Sequence, residues 1–105
     1  MIGFIKQLFG GKSIDYKKLV AEGATIVDVR TPAEFKSGHI RGAINLPLQS
    51  LSSQLNKINK DKPVITCCAS GMRSASAKTL LRNAGFSEVH NGGGWSSLQS
   101  KLNSQ

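Results

Sequence analysis

The stretch at residues 64–77, VITCCASGMRSASA, decides how the rest of the chain is read. Val64, Ile65 and Thr66 are β-branched and lead into two cysteines, the pattern of a short buried strand over residues 64–67. Small residues fill positions 69–71, and an alanine-rich helix follows from Ser74 to its stop at Gly85. Strand, tight loop and helix in that order are half of a parallel βαβ unit. Ligand sites in open parallel sheets lie beyond the carboxyl ends of the strands. The segment therefore delivers Cys68 to the place in such a fold where chemistry is done.

The same alternation continues outward. Residues 25–29 (TIVDV) read as a buried strand. Thr31, Pro32 and Glu34 then read as an N-cap, a first helical residue and the end of a capping box, and Gly38 stops that short helix. Residues 43–46 (AINL) form a second strand, stopped by Pro47. Leu48, Leu51, Leu55 and Ile58 recur at helical spacing and predict a crossover helix over residues 48–58. Beyond the central unit, residues 87–90 (SEVH) read as a strand, residues 91–94 (NGGG) as a turn and residues 95–102 as a last helix. The pattern is that of an α/β fold with a mostly parallel sheet.

At 105 residues the chain has room for one core. Residues 1–12 read as an apolar arm or helix and residues 13–105 as the domain. Ile2, Ile5, Leu8 and Phe9 lie at helical spacing in that arm. Lys6 interrupts its apolar run and no small-residue cleavage site follows, so the expectation is a helix packed on a cytoplasmic domain rather than a leader. No apolar run reaches the length of a membrane span.

Lysine and arginine outnumber acidic residues 14 to 6, for a net charge of +8. The lysines are scattered, only residues 57–62 are locally dense, and aromatics are not interleaved with them. That distribution argues for a solvated basic surface, able to attract anionic substrates or an acidic partner, and against nucleic-acid binding.

Cys67 and Cys68 are adjacent, too close for a standard disulfide, and no Cys/His spacing suits a metal. Both thiols are expected to be free, with no cofactor or metal. Ala69, Ser70 and Gly71 let the backbone curl around the Cys68 sulfur, and Gly71 permits a positive φ. Converging N–H groups, the helix dipole and the Arg73 guanidinium favour the thiolate, so no general base is needed. The expected substrate-binding set is Ala69, Ser70, Gly71, Met72 and Arg73, with Met72 as a soft apolar rim. Asp28 and Arg30 are expected to brace the loop or one another, with Ser74 as further support. His39 is read as structural, and Cys67 as a buried thiol facing a neighbouring helix.

The run from Cys68 through Arg73 to Ser74 resembles the active-site loop of the rhodanese homology family, a cysteine, four residues, arginine, then serine or threonine. Asp28-Val-Arg30 with Glu34-Phe35, Gly38-His39-Ile40 and residues 42–47 (GAINLP) are similar to its amino-terminal motif, and Ala84-Gly85-Phe86 with Gly92-Gly93-Gly94-Trp95 to its carboxyl-terminal motif. The resemblance covers about residues 14–100. It implies a central parallel sheet of about five strands flanked by helices on both faces. It also implies a sulfurtransferase that moves a sulfane sulfur from thiosulfate or a persulfide donor to a thiophilic acceptor through a Cys68 persulfide. The implied partners are a small sulfur donor or a persulfide-bearing protein. Uncharged residues at 69, 70 and 72, where some members carry a basic residue, make a persulfide the better expectation than thiosulfate. Counting from Cys67 instead gives the Cys-x5-Arg spacing of cysteine phosphatases and arsenate reductases, and the fold also serves non-catalytic binding modules. The loop pattern falls into place only from Cys68, and Thr66 stands where a phosphatase signature usually has histidine.

Overall fold

The computed structural model of the chain describes residues 14–104. The expected arm at residues 1–12 lies outside the described residues. Four parallel strands, β1 (Thr25–Asp28), β2 (Ile44–Asn45), β3 (Val64–Cys68) and β4 (Val89–Gly94), form one sheet in the order β2-β1-β3-β4. Helices α1 (Tyr16–Ala21), α2 (Pro32–Ser37), α3 (Met72–Asn83) and α4 (Trp95–Asn103) complete the described fold, with two 3-10 segments at Leu48–Ser53 and Leu55–Lys57. The α/β class and the parallel sheet are as expected. The strand count is four among the described residues, not about five.

Side-chain alternation along the strands builds two cores. Val27, Val64 and Cys68 face one side, packed with Leu51, Ala77 and Leu81 from the 3-10 segments and α3. Ile26, Ile65 and Cys67 face the other, packed with Leu98 of α4 and with Leu19 and Tyr16 of α1. The two adjacent cysteines thus lie on opposite faces, as a period of two requires.

The predicted crossover helix over residues 48–58 is instead the two 3-10 segments. Leu48 and Leu51, and likewise Leu55 and Ile58, are three apart, which suits a three-residue turn as well as a helix. The hydroxyls of Ser50 and Ser53 bond to the carbonyls of Pro47 and Ser50, at 3.4 and 2.9 Å, and so compete with α-helical pairing.

The expected turn at residues 91–94 is also corrected. The glycines belong to β4, which carries one extra residue opposite β3 between the Thr66–Asn91 and Cys68–Gly94 pairs. A Cβ at Gly92 would lie 2.9 Å from Ile65 Cγ2, Leu98 Cδ2 and the Thr66 carbonyl oxygen, and one at Gly94 2.8 Å from the Ala69 carbonyl oxygen. Gly92 and Gly94 serve close approach to β3 and its loop, whereas Gly93 has open space beside it and a φ of +83°. Gly92→Ala is accordingly expected to cost about 1–3 kcal/mol through overpacking, read as a lower urea midpoint at unchanged slope. An unchanged midpoint would show that this crowding is unimportant.

Candidate active site

β3 ends at Cys68 and α3 begins at Met72, so three residues make the whole connection. Gly71, the N-cap of α3, has φ +108°, a left-handed conformation that disfavours any residue with a side chain. That turn aims the Gly71 N–H back at the Cys68 sulfur, 3.0 Å away. The Ser74 N–H, one turn into α3, reaches the same sulfur at 3.4 Å, and the Ser74 hydroxyl oxygen also lies 3.4 Å from it. Cys68 is buried, while Ala69 and Ser70 above it are exposed.

Burial by itself opposes ionisation of Cys68. The Ser74 hydroxyl and the N–H groups of Ser74, Gly71 and Ser70 outweigh it, so the pKa falls below the ordinary thiol value. Cys67 goes the other way. Burial, with the Asp28 carboxylate nearby, pushes its thiol up to about 12. One strand therefore presents a thiol inclined to ionise and, on its other face, a thiol that stays protonated.

Arg73 grips Glu34 of α2 in a bidentate pair, Nη1 to Oε1 at 2.8 Å and Nη2 to Oε2 at 3.0 Å. The guanidinium was expected to serve the loop directly. Its fork instead matches a carboxylate geometrically, and its charge acts on Cys68 only through space. The same pair, with the capping-box hydrogen bonds from Thr31, draws the Glu34 carboxyl down to about 2. Its charge is therefore kept at any pH above the ordinary carboxylate range and is lost only as pH falls through about 2. Met72, the first residue of α3, stands 80% exposed at the loop's rim.

Asp28 and Arg30 form a buried ion pair with Nη2 to Oδ2 at 2.7 Å. Arg30 also lies 4.8 Å from the centre of the Trp95 ring. Trp95 packs there and against Gly38, whereas Gly94 is the residue that lies under the loop. His39 stacks on Phe35 and bonds its carbonyl through Nδ1 at 2.7 Å, and His90 meets Glu88 at 2.9 Å. Asn91 is a site residue that the sequence reading passes over as part of a turn. Its Oδ1 is 2.6 Å from the Ser74 hydroxyl.

Among the described residues, no three His, Cys, Asp or Glu side chains cluster to hold a metal, and no helix is long and apolar enough to cross a membrane.

Comparison with known proteins matches residues 14–101 to the rhodanese-like domain. The chain belongs to the rhodanese-like domain family. It is similar to the uncharacterized protein YqhL of Bacillus subtilis, 46% identical over 68 residues, which are 65% of this chain and 54% of that protein. The thiosulfate sulfurtransferase GlpE of Stutzerimonas stutzeri is 39% identical over 84 residues, covering 72% of this chain and 77% of its own. Among solved structures, a rhodanese-related protein of Thermoplasma volcanium superposes with a TM-score of 0.69 at 33% identity, covering 85% of this chain and 92% of that one. The rhodanese-like domain thus accounts for nearly all of the described chain, although the match to YqhL spans about half of that relative's length.

Proposed function

We propose that this rhodanese-like domain is a sulfurtransferase that carries sulfane sulfur on Cys68. The observation that carries the reading is the Cys68 sulfur held 3.0 Å from the Gly71 N–H at the start of α3. The Cys68 thiolate attacks the outer sulfur of a donor and forms a new S–S bond. The donor's own S–S bond breaks, and its electron pair leaves with the donor remnant, a thiolate or sulfite. The acceptor nucleophile then attacks the outer sulfur, and the Cys68 thiolate is the leaving group. The N–H groups of the loop stabilise negative charge on sulfur in every one of these species. GlpE's activity on thiosulfate supports the reaction class. The register supports Cys68 over Cys67 as the nucleophile, since a phosphatase count from Cys67 would start on the opposite face of the sheet from α3.

Intact mass tests the proposal. Incubation with a low-molecular-weight persulfide is expected to add one sulfur atom, and cyanide or a thiol to remove it. No adduct with any persulfide or with thiosulfate would overturn it.

Donor choice follows from the Arg73–Glu34 pair. Thiosulfate is a dianion, and the one arginine of the loop is already neutralised by a carboxylate. A persulfide group carries a single charge at most and needs that arginine less. Glu34→Gln keeps the capping box but releases the guanidinium. Thiosulfate kcat/KM is then expected to rise roughly tenfold, the size of one charge-assisted contact, with little change for a neutral-bodied persulfide. A fall in thiosulfate turnover, or equal gains for both donors, would remove the electrostatic account.

A further inference from the structure

Asn91 stands on β4 opposite Thr66 of β3. Its amide is fixed at both ends by backbone: Oδ1 accepts the Gly93 N–H at 2.9 Å, and Nδ2 donates to the Gly71 carbonyl at 3.3 Å. The oxygen end is therefore the one that meets Ser74. Ser74 is buried and has a single hydroxyl proton for three neighbours: Asn91 Oδ1 at 2.6 Å, the Gly71 carbonyl at 3.1 Å and Cys68 Sγ at 3.4 Å. Both oxygens can only accept, and the shorter contact takes the hydrogen bond, so Ser74 points its proton at Asn91 Oδ1.

We propose that Asn91 is a positioning residue that governs where the Ser74 hydroxyl proton points, and through it which form of Cys68 is favoured. With the proton on Asn91, the Ser74 oxygen turns a lone pair to Sγ and accepts from the S–H of a thiol. A bare thiolate needs the reverse. The hydroxyl must rotate and donate to sulfur, and it gives up the contact to Asn91. Asn91 thus competes with sulfur for the hydroxyl and limits, without abolishing, the help that Ser74 gives the thiolate. Once Sγ is bonded to a transferred sulfur, the negative charge sits on the outer atom and the proton returns to Asn91; this last step rests on the sulfur-carrier reading above. The amide favours the resting and loaded states over the reactive one between them.

The other side chains around Cys68 already have partners or carry no charge. Arg73 on α3 is held by Glu34, Cys67 on β3 stays a thiol, and Asp28 and Arg30 at the end of β1 are paired with each other. The N–H groups of Gly71 and Ser74 are backbone donors with fixed directions. The Ser74 hydroxyl is the donor that can turn.

The rate of iodoacetamide alkylation against pH, read by mass on the Cys68 peptide, tests this without any sulfur donor. Asn91→Ala frees the hydroxyl, and the apparent Cys68 pKa is expected to fall by about one unit, up to tenfold faster alkylation on the acid side. An amide that merely props up the loop would give the opposite sign, because a loosened Gly71 donates less. A rise or no shift overturns the proposal. In a Ser74→Ala background, Asn91→Ala is expected to shift nothing, and a shift that persists there overturns it too. Should Asn91→Ala fail to fold, Asn91→Asp is compared with and without Ser74→Ala: the rise in pKa is expected to be larger with Ser74 present, and an equal rise in both backgrounds, the mark of the added charge alone, overturns the proposal. Failure of sulfur loading with these shifts intact would count against the carrier reading alone.

Discussion

Cys68→Ser is expected to abolish sulfur loading and to reduce sulfur transfer by on the order of 10³-fold or more, because serine cannot form the covalent intermediate. The substitution is close in size, so the cradle that the Gly71 and Ser74 N–H groups make around position 68 should persist. Loss of activity at unchanged thermal stability is therefore the expected pairing. Cys67→Ala is the matching control. Its side chain lies among Ile26, Ile40, Ile65 and Leu98, on the other face of the sheet. It is expected to lose some stability and to keep sulfur loading. Both readouts come from intact mass after exposure to a persulfide, with urea melts beside them. Loading that survives in Cys68→Ser but vanishes in Cys67→Ala would move the nucleophile one residue back and, with it, the register of the whole loop.

The strand–loop–helix around Cys68 was legible in local pattern. The strand read over residues 64–67 runs one residue further, to Cys68, and the small residues at 69–71 make the tight connection to α3. The capping box at Thr31 and Glu34 was equally legible, since both of its hydrogen bonds span three residues. The role of Glu34 as the partner of Arg73 was not. Those residues are 39 apart, and nothing in either local pattern reports the other. The same holds for Asn91 and Ser74, 17 apart. The glycine run at residues 92–94 misled for a different reason. Glycine serves turns and close approach alike, and only the positions of Thr66, Ile65, Leu98 and Ala69 tell which applies. Leucines three and four apart left the 3-10 segments indistinguishable from a helix. What the sequence withholds is tertiary pairing, the level at which the site is tuned.

Arg30→Ala is expected to destabilise the domain by about 3–5 kcal/mol, the cost of leaving a buried charge without its partner. Asp28 is fully buried and receives Arg30 Nε at 2.9 Å, Nη2 at 2.7 Å and the Arg30 backbone N–H at 3.1 Å. Only the backbone donor survives the substitution. Arg30 also donates to the Glu34 and Gly38 carbonyls, at 3.2 and 2.7 Å, which ties the middle and the C-cap of α2 to the end of β1. Because α2 carries the carboxylate that holds Arg73, the buried pair positions the rim of the site as well as the core. Arg30→Lys is expected to recover little, since an ammonium cannot span the carboxylate and two carbonyls while lying over the Trp95 ring. Replacing both members, as in Asp28→Asn with Arg30→Met, removes the stranded charge and is expected to cost less than Arg30→Ala alone. Urea midpoints of the three variants decide the matter. Typical domains have about 5–15 kcal/mol in all, so the single variant should unfold at far lower urea. A loss below about 1 kcal/mol would place Arg30 among ordinary surface ion pairs, against its observed burial.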